Sequence, residues 1–172
     1  MGDAEPVPSG LVEEAVKKAA VAWVTVPGRP AVALWCLPVD GKLYVVSGPG
    51  EQAAPGLVEA ATALVTLRGD HGGRIVTWPA MVVAVEPGGE EWAAAVPQLA
   101  GKRLNAPGPA EHLVERWAAE CAVHRFEPAG DPVEAGATLP ESGHLEPPRP
   151  TPAARPARRP FRLHRVRRRP PR

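Results

Sequence analysis

The hydrophobic and polar positions of the chain follow two periods, one typical of helices and one typical of strands. Apolar residues recur three and four positions apart from Leu11 to Ala19, which predicts a helix capped by Ser9. Helical spacing returns after residue 89 and after Pro109, and Pro97 is expected to split or restart the first of these two helices. The remaining apolar segments alternate or are rich in β-branched residues, which predicts strands. The predicted strands are residues 20–26, 31–39, 42–47, 62–68, 74–85 and 121–126.

Glycine and proline separate these strands. Asp40-Gly41 favours a tight hairpin, because a type I′ turn needs positive φ at both positions. The loop 48–56 is rich in Gly and Pro, and a short helix is predicted after it at 57–61. Pro79 lies inside the fifth strand and favours a sheet edge or a bulge, since proline has no N–H to donate. Six short strands with few helices predict a mainly β fold, a small six-stranded barrel rather than a parallel α/β sheet.

Composition divides the chain into two parts. No hydrophobic period survives beyond residue 130, and proline recurs at short intervals from there to residue 171. Residues 1–148 contain 10 Lys and Arg against 19 Asp and Glu, whereas residues 149–172 contain 10 Arg and no acid. We therefore expect a barrel domain at residues 9–130 and a disordered Pro/Arg-rich tail at residues 131–172. The acidic domain offers the tail an electrostatic partner, so specific nucleic-acid binding is not expected.

Several classes of protein are not expected from this composition. Proline interrupts the longest apolar stretches well short of the roughly 20 residues that a membrane helix needs. The first ten residues carry two acids and no basic residue, unlike a signal peptide. Cys36 and Cys121 are too few for a disulfide framework, and Cys121 and His124 lie three apart on a strand, where they point to opposite faces. A cytoplasmic protein without a metal site or membrane contact is the expectation.

The order of several short motifs resembles the pyridoxamine-5′-phosphate-oxidase-like split barrels. Gly28-Arg29-Pro30 leads into a strand that contains Trp35, and Asp40-Gly41-Lys42-Leu43-Tyr44 forms a hairpin that ends near Ser47. The loop and strand that follow match in length and order, so the resemblance covers residues 15–127. It implies a six-stranded split barrel that forms a homodimer and binds FMN, or a deazaflavin, between its subunits. It also implies an oxidoreductase that acts on a small molecule.

The chain departs from this family where the cofactor phosphate is held. Members carry a basic residue four positions before the residue equivalent to Leu57, and this chain has Ala53 there, with Glu51 nearby. Arg68 and Arg74 flank one predicted hairpin and are the best substitutes, because arginine forms bidentate pairs with phosphate. The other candidate cofactor-binding residues are Ser47 as a phosphate donor, and Trp35 and Trp78 as ring contacts, with Trp78 also a candidate for the dimer interface.

Each candidate residue has a plainer interpretation, namely core tryptophans, a turn hydroxyl and surface cations. The absence of a cation at Ala53, with Glu51 nearby, supports a second hypothesis, a barrel without cofactor that acts as a binding or interaction protein. A nucleic-acid-associated protein that works through the basic tail is a third hypothesis. No catalytic acid, base or nucleophile is predicted from the residues, which agrees with a reaction whose hydride chemistry belongs to the cofactor.

Overall fold

The computed structural model describes residues 10–69, 72–106 and 108–139. Three helices are present in this part of the chain: α1 (Gly10–Lys17), α2 (Glu90–Lys102) and α3 (Ala110–Glu120). A 3-10 turn covers Gly136–Thr138. The strands are β1 (Val21–Thr25), β2 (Val32–Val39), β3 (Lys42–Ser47), β4 (Thr62–Arg68), β5 (Arg74–Ala84), β6 (Ala122–Pro128) and β7 (Glu134–Ala135).

Six of these strands close into an antiparallel barrel. The order is β4-β1-β2-β3-β6-β5, and pairing between β5 and β4 closes the ring. The short β7 adds to β5 outside the ring. The Asp40-Gly41 hairpin has φ of +49° and +77°, as a type I′ turn requires. The predicted mainly β fold and the six-stranded barrel are confirmed.

Two apolar clusters hold the barrel together because inward and outward residues alternate along each strand. Inward residues such as Val24, Val65 and Val76 fill the interior, and α1 packs against the same cluster. Outward residues of β2, β3 and β6 pack beneath α2 and α3 instead. Trp92, Val96 and Leu99 of α2 and Leu113 and Trp117 of α3 are the buried helical residues of this second cluster.

The outer face of β1, β4 and β5 is left without a helix in the described part of the chain. Its apolar residues are therefore accessible: Leu64 on β4 is 39% exposed and Met81 on β5 is 50% exposed. The barrel thus has one face covered by helices and one open face, and the candidate site lies on the open face. No helix among the described residues has the length and apolar character needed to cross a membrane.

Two predicted helical features differ in the structure. In place of the helix predicted at 57–61, residues 55–59 form turns, closed by bonds from the Leu57 N–H to the Ala54 carbonyl and from the Ala60 N–H to the Leu57 carbonyl. Helix α2 continues through Pro97 without the predicted break. Pro97 lies on the exposed side of α2. Because proline has no N–H, the carbonyl four residues earlier loses its helical hydrogen bond, and water can hydrate it there. The buried residues on the opposite side hold the helix against the barrel.

Pro79 lies neither at a free edge nor at a bulge. Its carbonyl accepts from the Ala129 N–H at 2.9 Å, so its nitrogen faces the same side of β5. On that side the partner of β5 changes from β6, which pairs as far as Ala80, to β7, which pairs at Thr77. The missing N–H therefore falls in the gap between two partners and costs no ladder bond.

The sheet continues beyond residue 130, where the sequence loses its period. Thr77 pairs with Glu134 and Val76 with Ala135, so residues 134 and 135 join the sheet through backbone bonds and one charged side chain. Backbone pairing of this kind leaves no periodic signal in so short a segment. The predicted cap Ser9 and the tail from residue 140 onward lie outside the described residues.

Candidate functional site

A cavity of about 560 Å³ opens on the uncovered face of the barrel. Strands β1, β4 and β5 form its floor, and the segment that contains β7 forms one wall. We call it the arginine cavity. The lining residues that bear on its chemistry are Trp23, Thr66, Arg68, Arg74, Thr77 and Glu134.

A β-bulge brings the two arginines of this cavity to the same face. Leu67 pairs with Val76, and both point into the barrel, but the next pair is Arg68 with Arg74 because the register shifts there. Without the extra residue, Ile75 would stand opposite Arg68 and Arg74 would alternate to the other face. The prediction that Arg68 and Arg74 lie close together is confirmed.

Arg68 lies over an aromatic ring. Its guanidinium carbon is 4.7 Å from the centroid of the Trp23 ring, a cation–π contact between β4 and β1. One of its Nη atoms donates to the Gly72 carbonyl at 3.1 Å. Its Nε is buried and has no hydrogen-bond partner among the described residues. Arg68 therefore retains an unused donor in the wall of the cavity.

Arg74 is paired with a carboxylate. Its Nη1 lies 2.7 Å from Oε2 of Glu134, and the side chains are only 9% and 22% exposed. The Thr77 hydroxyl donates to the same carboxylate oxygen at 3.0 Å, and the Thr66 and Thr77 hydroxyls are 2.8 Å apart. Arg74 and Thr77 thus donate directly to one anionic group, and the Thr66 hydroxyl donates to that of Thr77 behind them.

Ser47 and Ala53 come together elsewhere. They line a shallow pocket of about 410 Å³ at the end of β3, next to Cys121 and Glu120. The residues that line this pocket include no Lys or Arg. The structure thus separates Ser47 from Arg68 and Arg74 within one chain.

Trp35 and Trp78 occupy two further environments. Trp35 is half-buried on the helix-covered side. Its backbone N–H donates to Oε1 of Gln52, and the Gln52 side-chain amide donates to the Ala33 carbonyl. Trp78 points into the barrel and is only 2% exposed, since alternation along β5 places it inward with Val76. Its ring therefore does not reach the outer surface, which corrects the prediction that it contacts a cofactor or a partner there.

Glu51 has a role that the sequence did not indicate. Its carboxylate receives bonds from Arg103 at 2.8 Å, Arg116 at 2.5 Å and the Trp117 indole at 2.9 Å, and it is 5% exposed. Burial alone would raise the pKa of Glu51, but these hydrogen bonds outweigh it and the net pKa is lowered. Glu51 thus anchors the loop after β3 to α2 and α3. Its partners lie 52 to 66 residues away, so no local pattern could have revealed them.

The other reactive side chains are buried structural groups. Cys36 lies inside the barrel, where burial raises the pKa of its thiol to about 12. His124 is 2% exposed, and burial lowers its pKa, so its imidazole is neutral at neutral pH. The described residues contain no cluster of three or more His, Cys, Asp or Glu side chains placed to hold a metal ion.

Comparisons with known proteins identify the fold. No protein-family model matches the chain, and no curated protein matches it in sequence. Two solved structures are similar in three dimensions, each at 16% identity. The heme storage protein HutZ of Vibrio cholerae matches with a TM-score of 0.50, covering 70% of this chain and 89% of HutZ. A conserved hypothetical protein of Mycobacterium tuberculosis matches with a TM-score of 0.51, covering 77% of this chain and 88% of its own. The chain therefore has the fold of the pyridoxamine-5′-phosphate-oxidase-like split barrels.

Proposed function

We propose that the chain binds a phosphorylated flavin or deazaflavin, with FMN as the simplest case, and acts as an oxidoreductase on a small molecule. The observation that carries this proposal is the pair Arg68 and Arg74, placed side by side in one cavity by the β-bulge. Two guanidinium groups can neutralise a phosphate that a single lysine holds elsewhere. The cavity volume of about 560 Å³ lies in the range of small-molecule sites.

Different residues of the arginine cavity would bind the phosphate and the ring system of the flavin. Arg68 and Arg74 would hold the phosphate, and the Thr66 and Thr77 hydroxyls would add neutral donors beside it. Trp23 would offer the edge of a half-buried ring to a flat heterocycle. A bound flavin supplies the hydride chemistry, and the chain's own residues orient it and shield it from water.

We also propose that the open face is the interface of a homodimer. Leu64 and Met81 expose apolar surface there, next to the arginine cavity, and no described helix covers it. A second copy would bury this surface and close the cavity from above.

The dimer is expected to show a mass near twice 18.1 kDa in light scattering at micromolar concentration. Leu64→Glu should convert it to a monomer, because a carboxylate in a desolvated apolar interface is strongly unfavourable. The matched control is Leu104→Glu, since Leu104 is 75% exposed and does not line the arginine cavity. A wild-type monomer under these conditions would contradict the proposed interface.

Titration with FMN and riboflavin tests the cofactor. FMN is expected to bind more tightly than riboflavin, since only FMN carries the phosphate. Arg68→Ala should weaken FMN by about 1.5–3 kcal/mol, or roughly 10–150-fold, and leave riboflavin nearly unchanged. Lys102→Ala, an exposed charge remote from the cavity, controls for net charge. Equal losses for both ligands, or no loss for either, would contradict a phosphate position at Arg68.

A barrel without cofactor, acting as a binding or interaction protein, is the second candidate. Two observations favour it: no cation lines the pocket that holds Ser47 and Ala53, and Glu134 already pairs with Arg74. Ala53→Lys would then create FMN binding that the wild type lacks. Heme is not proposed, because the residues that line the arginine cavity include no His, Cys, Met or Tyr to ligate iron.

A further inference from the structure

Residues 131–139 form a short segment that crosses one end of the arginine cavity; we call it the Glu134 segment. Its only strand is two residues long and pairs with β5 alone. The Val133 N–H donates to the Thr77 carbonyl at 2.8 Å, and Val133 itself is 54% exposed. A turn of its own follows, in which the Ala135 N–H donates to the Thr138 hydroxyl at 2.9 Å.

The Glu134 carboxylate lies where an anionic group of a ligand would be held. It accepts from Arg74 at 2.7 Å and from the Thr77 hydroxyl at 3.0 Å, both through the same oxygen. A phosphate or carboxylate oxygen would use these donors at the same distances. The donors belong to the barrel strand β5, whereas the acceptor belongs to the segment that follows the barrel.

Among the described residues that line the cavity, the cations outnumber the carboxylates. Two cations, Arg68 and Arg74, face one carboxylate. Arg68 forms no ion pair with a described carboxylate, and its buried Nε lacks a partner. A ligand with two or three acceptor oxygens could engage the Arg68 guanidinium as well as Arg74, which the Glu134 carboxylate does not.

Few contacts hold the Glu134 segment on the barrel. A two-residue strand contributes little cooperative stability. Of the two large apolar side chains in the segment, Val133 is more than half exposed and Leu139 is half-buried outside both apolar clusters. Its release would not open either apolar cluster except at Ala135, which is only partly buried. Local opening of such a peripheral segment costs much less than global unfolding.

We propose that Glu134 is an internal competitor for the arginine cavity. Its carboxylate holds the anion position on Arg74 and Thr77 until a phosphate group of the ligand takes that position and displaces the Glu134 segment. The ligand can bind only those molecules in which the anion position is open. The apparent affinity of the wild type for phosphate is therefore the intrinsic affinity multiplied by that fraction. The identity of the ligand rests on the function proposed above, but the anion position itself does not.

Isothermal titration of the full chain with inorganic phosphate tests the anion position. Glu134→Ala is expected to bind phosphate about tenfold or more tightly than the wild type. Glu134→Gln, which keeps the volume of the side chain, should lie between the two. Asp131→Asn removes the same charge from the same segment at an exposed residue with no bond to the cavity, and it should bind as the wild type does. Adding Arg74→Ala to Glu134→Ala should abolish the gain.

The same variants titrated with FMN and riboflavin separate this inference from the proposed function. A gain for phosphate and for FMN, with riboflavin unchanged, is the expected result. A gain for phosphate without any FMN binding would support Glu134 as an internal anion and overturn the flavin proposal. Unchanged phosphate affinity in both Glu134 variants would overturn the inference, even if FMN binds the wild type through Arg68. If Glu134→Ala fails to fold, the phosphate affinities of Glu134→Gln and Asp131→Asn are compared instead. Tighter binding by Glu134→Gln alone would support the inference, and equal affinities would overturn it.

Discussion

Glu51→Gln is expected to lower the free energy of unfolding by about 3 kcal/mol at neutral pH. The substitution leaves Arg103 and Arg116 without their shared counter-charge, although their side chains are only 28% and 26% exposed. Breaking a buried ion pair from one side costs about 3–5 kcal/mol, and the partial exposure of the arginines places this case at the lower end. Urea unfolding of both proteins, followed by tryptophan fluorescence, measures the difference.

The pH dependence of this difference has a defined sign. The folded-state pKa of Glu51 lies below its usual value of 4.5, so the unfolded chain binds the proton more readily. The stabilisation from Glu51 is therefore complete above the unfolded pKa and is lost as the pH falls through the lowered folded pKa. The two proteins should converge in acid. Glu14→Gln breaks an exposed pair with Lys17 and should leave stability unchanged, whereas a Glu51→Gln protein as stable as the wild type would contradict the anchor.

Gly48→Ala is expected to destabilise the barrel by about 3 kcal/mol or more, the sum of two costs. Gly48 has a φ of +140°, and adopting such a conformation costs another residue about 1–3 kcal/mol. An added Cβ would also lie 2.9 Å from Cα of Cys121 and 3.1 Å from the Glu120 carbonyl oxygen. These are backbone atoms where α3 ends, just before β6, so they cannot turn aside as a side chain would. Overpacking of this kind costs about 1–3 kcal/mol.

Gly28→Ala is the matched control for Gly48→Ala. Gly28 has a φ of +74°, and no atom would lie within 4 Å of its added Cβ. It should therefore show only the conformational cost of about 1–2 kcal/mol. Urea unfolding of the two variants gives the cost of the close approach as their difference. Equal destabilisation would mean that the loop after Ser47 and the start of β6 separate freely.

The elements of the barrel could be predicted from the sequence because their signals are local. Alternation along β1 and β4 places every second residue in the interior, so the period reports the strand directly. The Asp40-Gly41 turn needs two positive φ angles, which few residue pairs adopt. The adjacency of Arg68 and Arg74 also follows from a short hairpin, and the structure confirms it.

Features that depend on a partner strand or on buried surface were predicted less well. Pro97 breaks an isolated helix, but α2 is held by its buried face and continues. Trp78 was expected at the surface because Pro79 suggested an edge, yet β5 has partners on both sides. The β-bulge that places Arg74 on the same face as Arg68 shifts the pairing of β4 and β5 by one residue, and no local sequence pattern specifies that shift.

The sequence by itself determined the strands and the Asp40-Gly41 hairpin, because each depends on residues that are neighbours or near neighbours along the chain. The closed barrel was expected from the number of strands and the family resemblance, but its closure joins distant segments, since β1 pairs with β4 and β3 pairs with β6. Only the tertiary structure decided the surroundings of the charges. Glu51, expected to repel a phosphate, is neutralised by arginines 52 and 65 residues away. Arg74, expected to be available to a phosphate, is paired with Glu134, 60 residues away. Side-chain pairs at such separations are set by how the elements pack, and the order of the residues does not encode them locally.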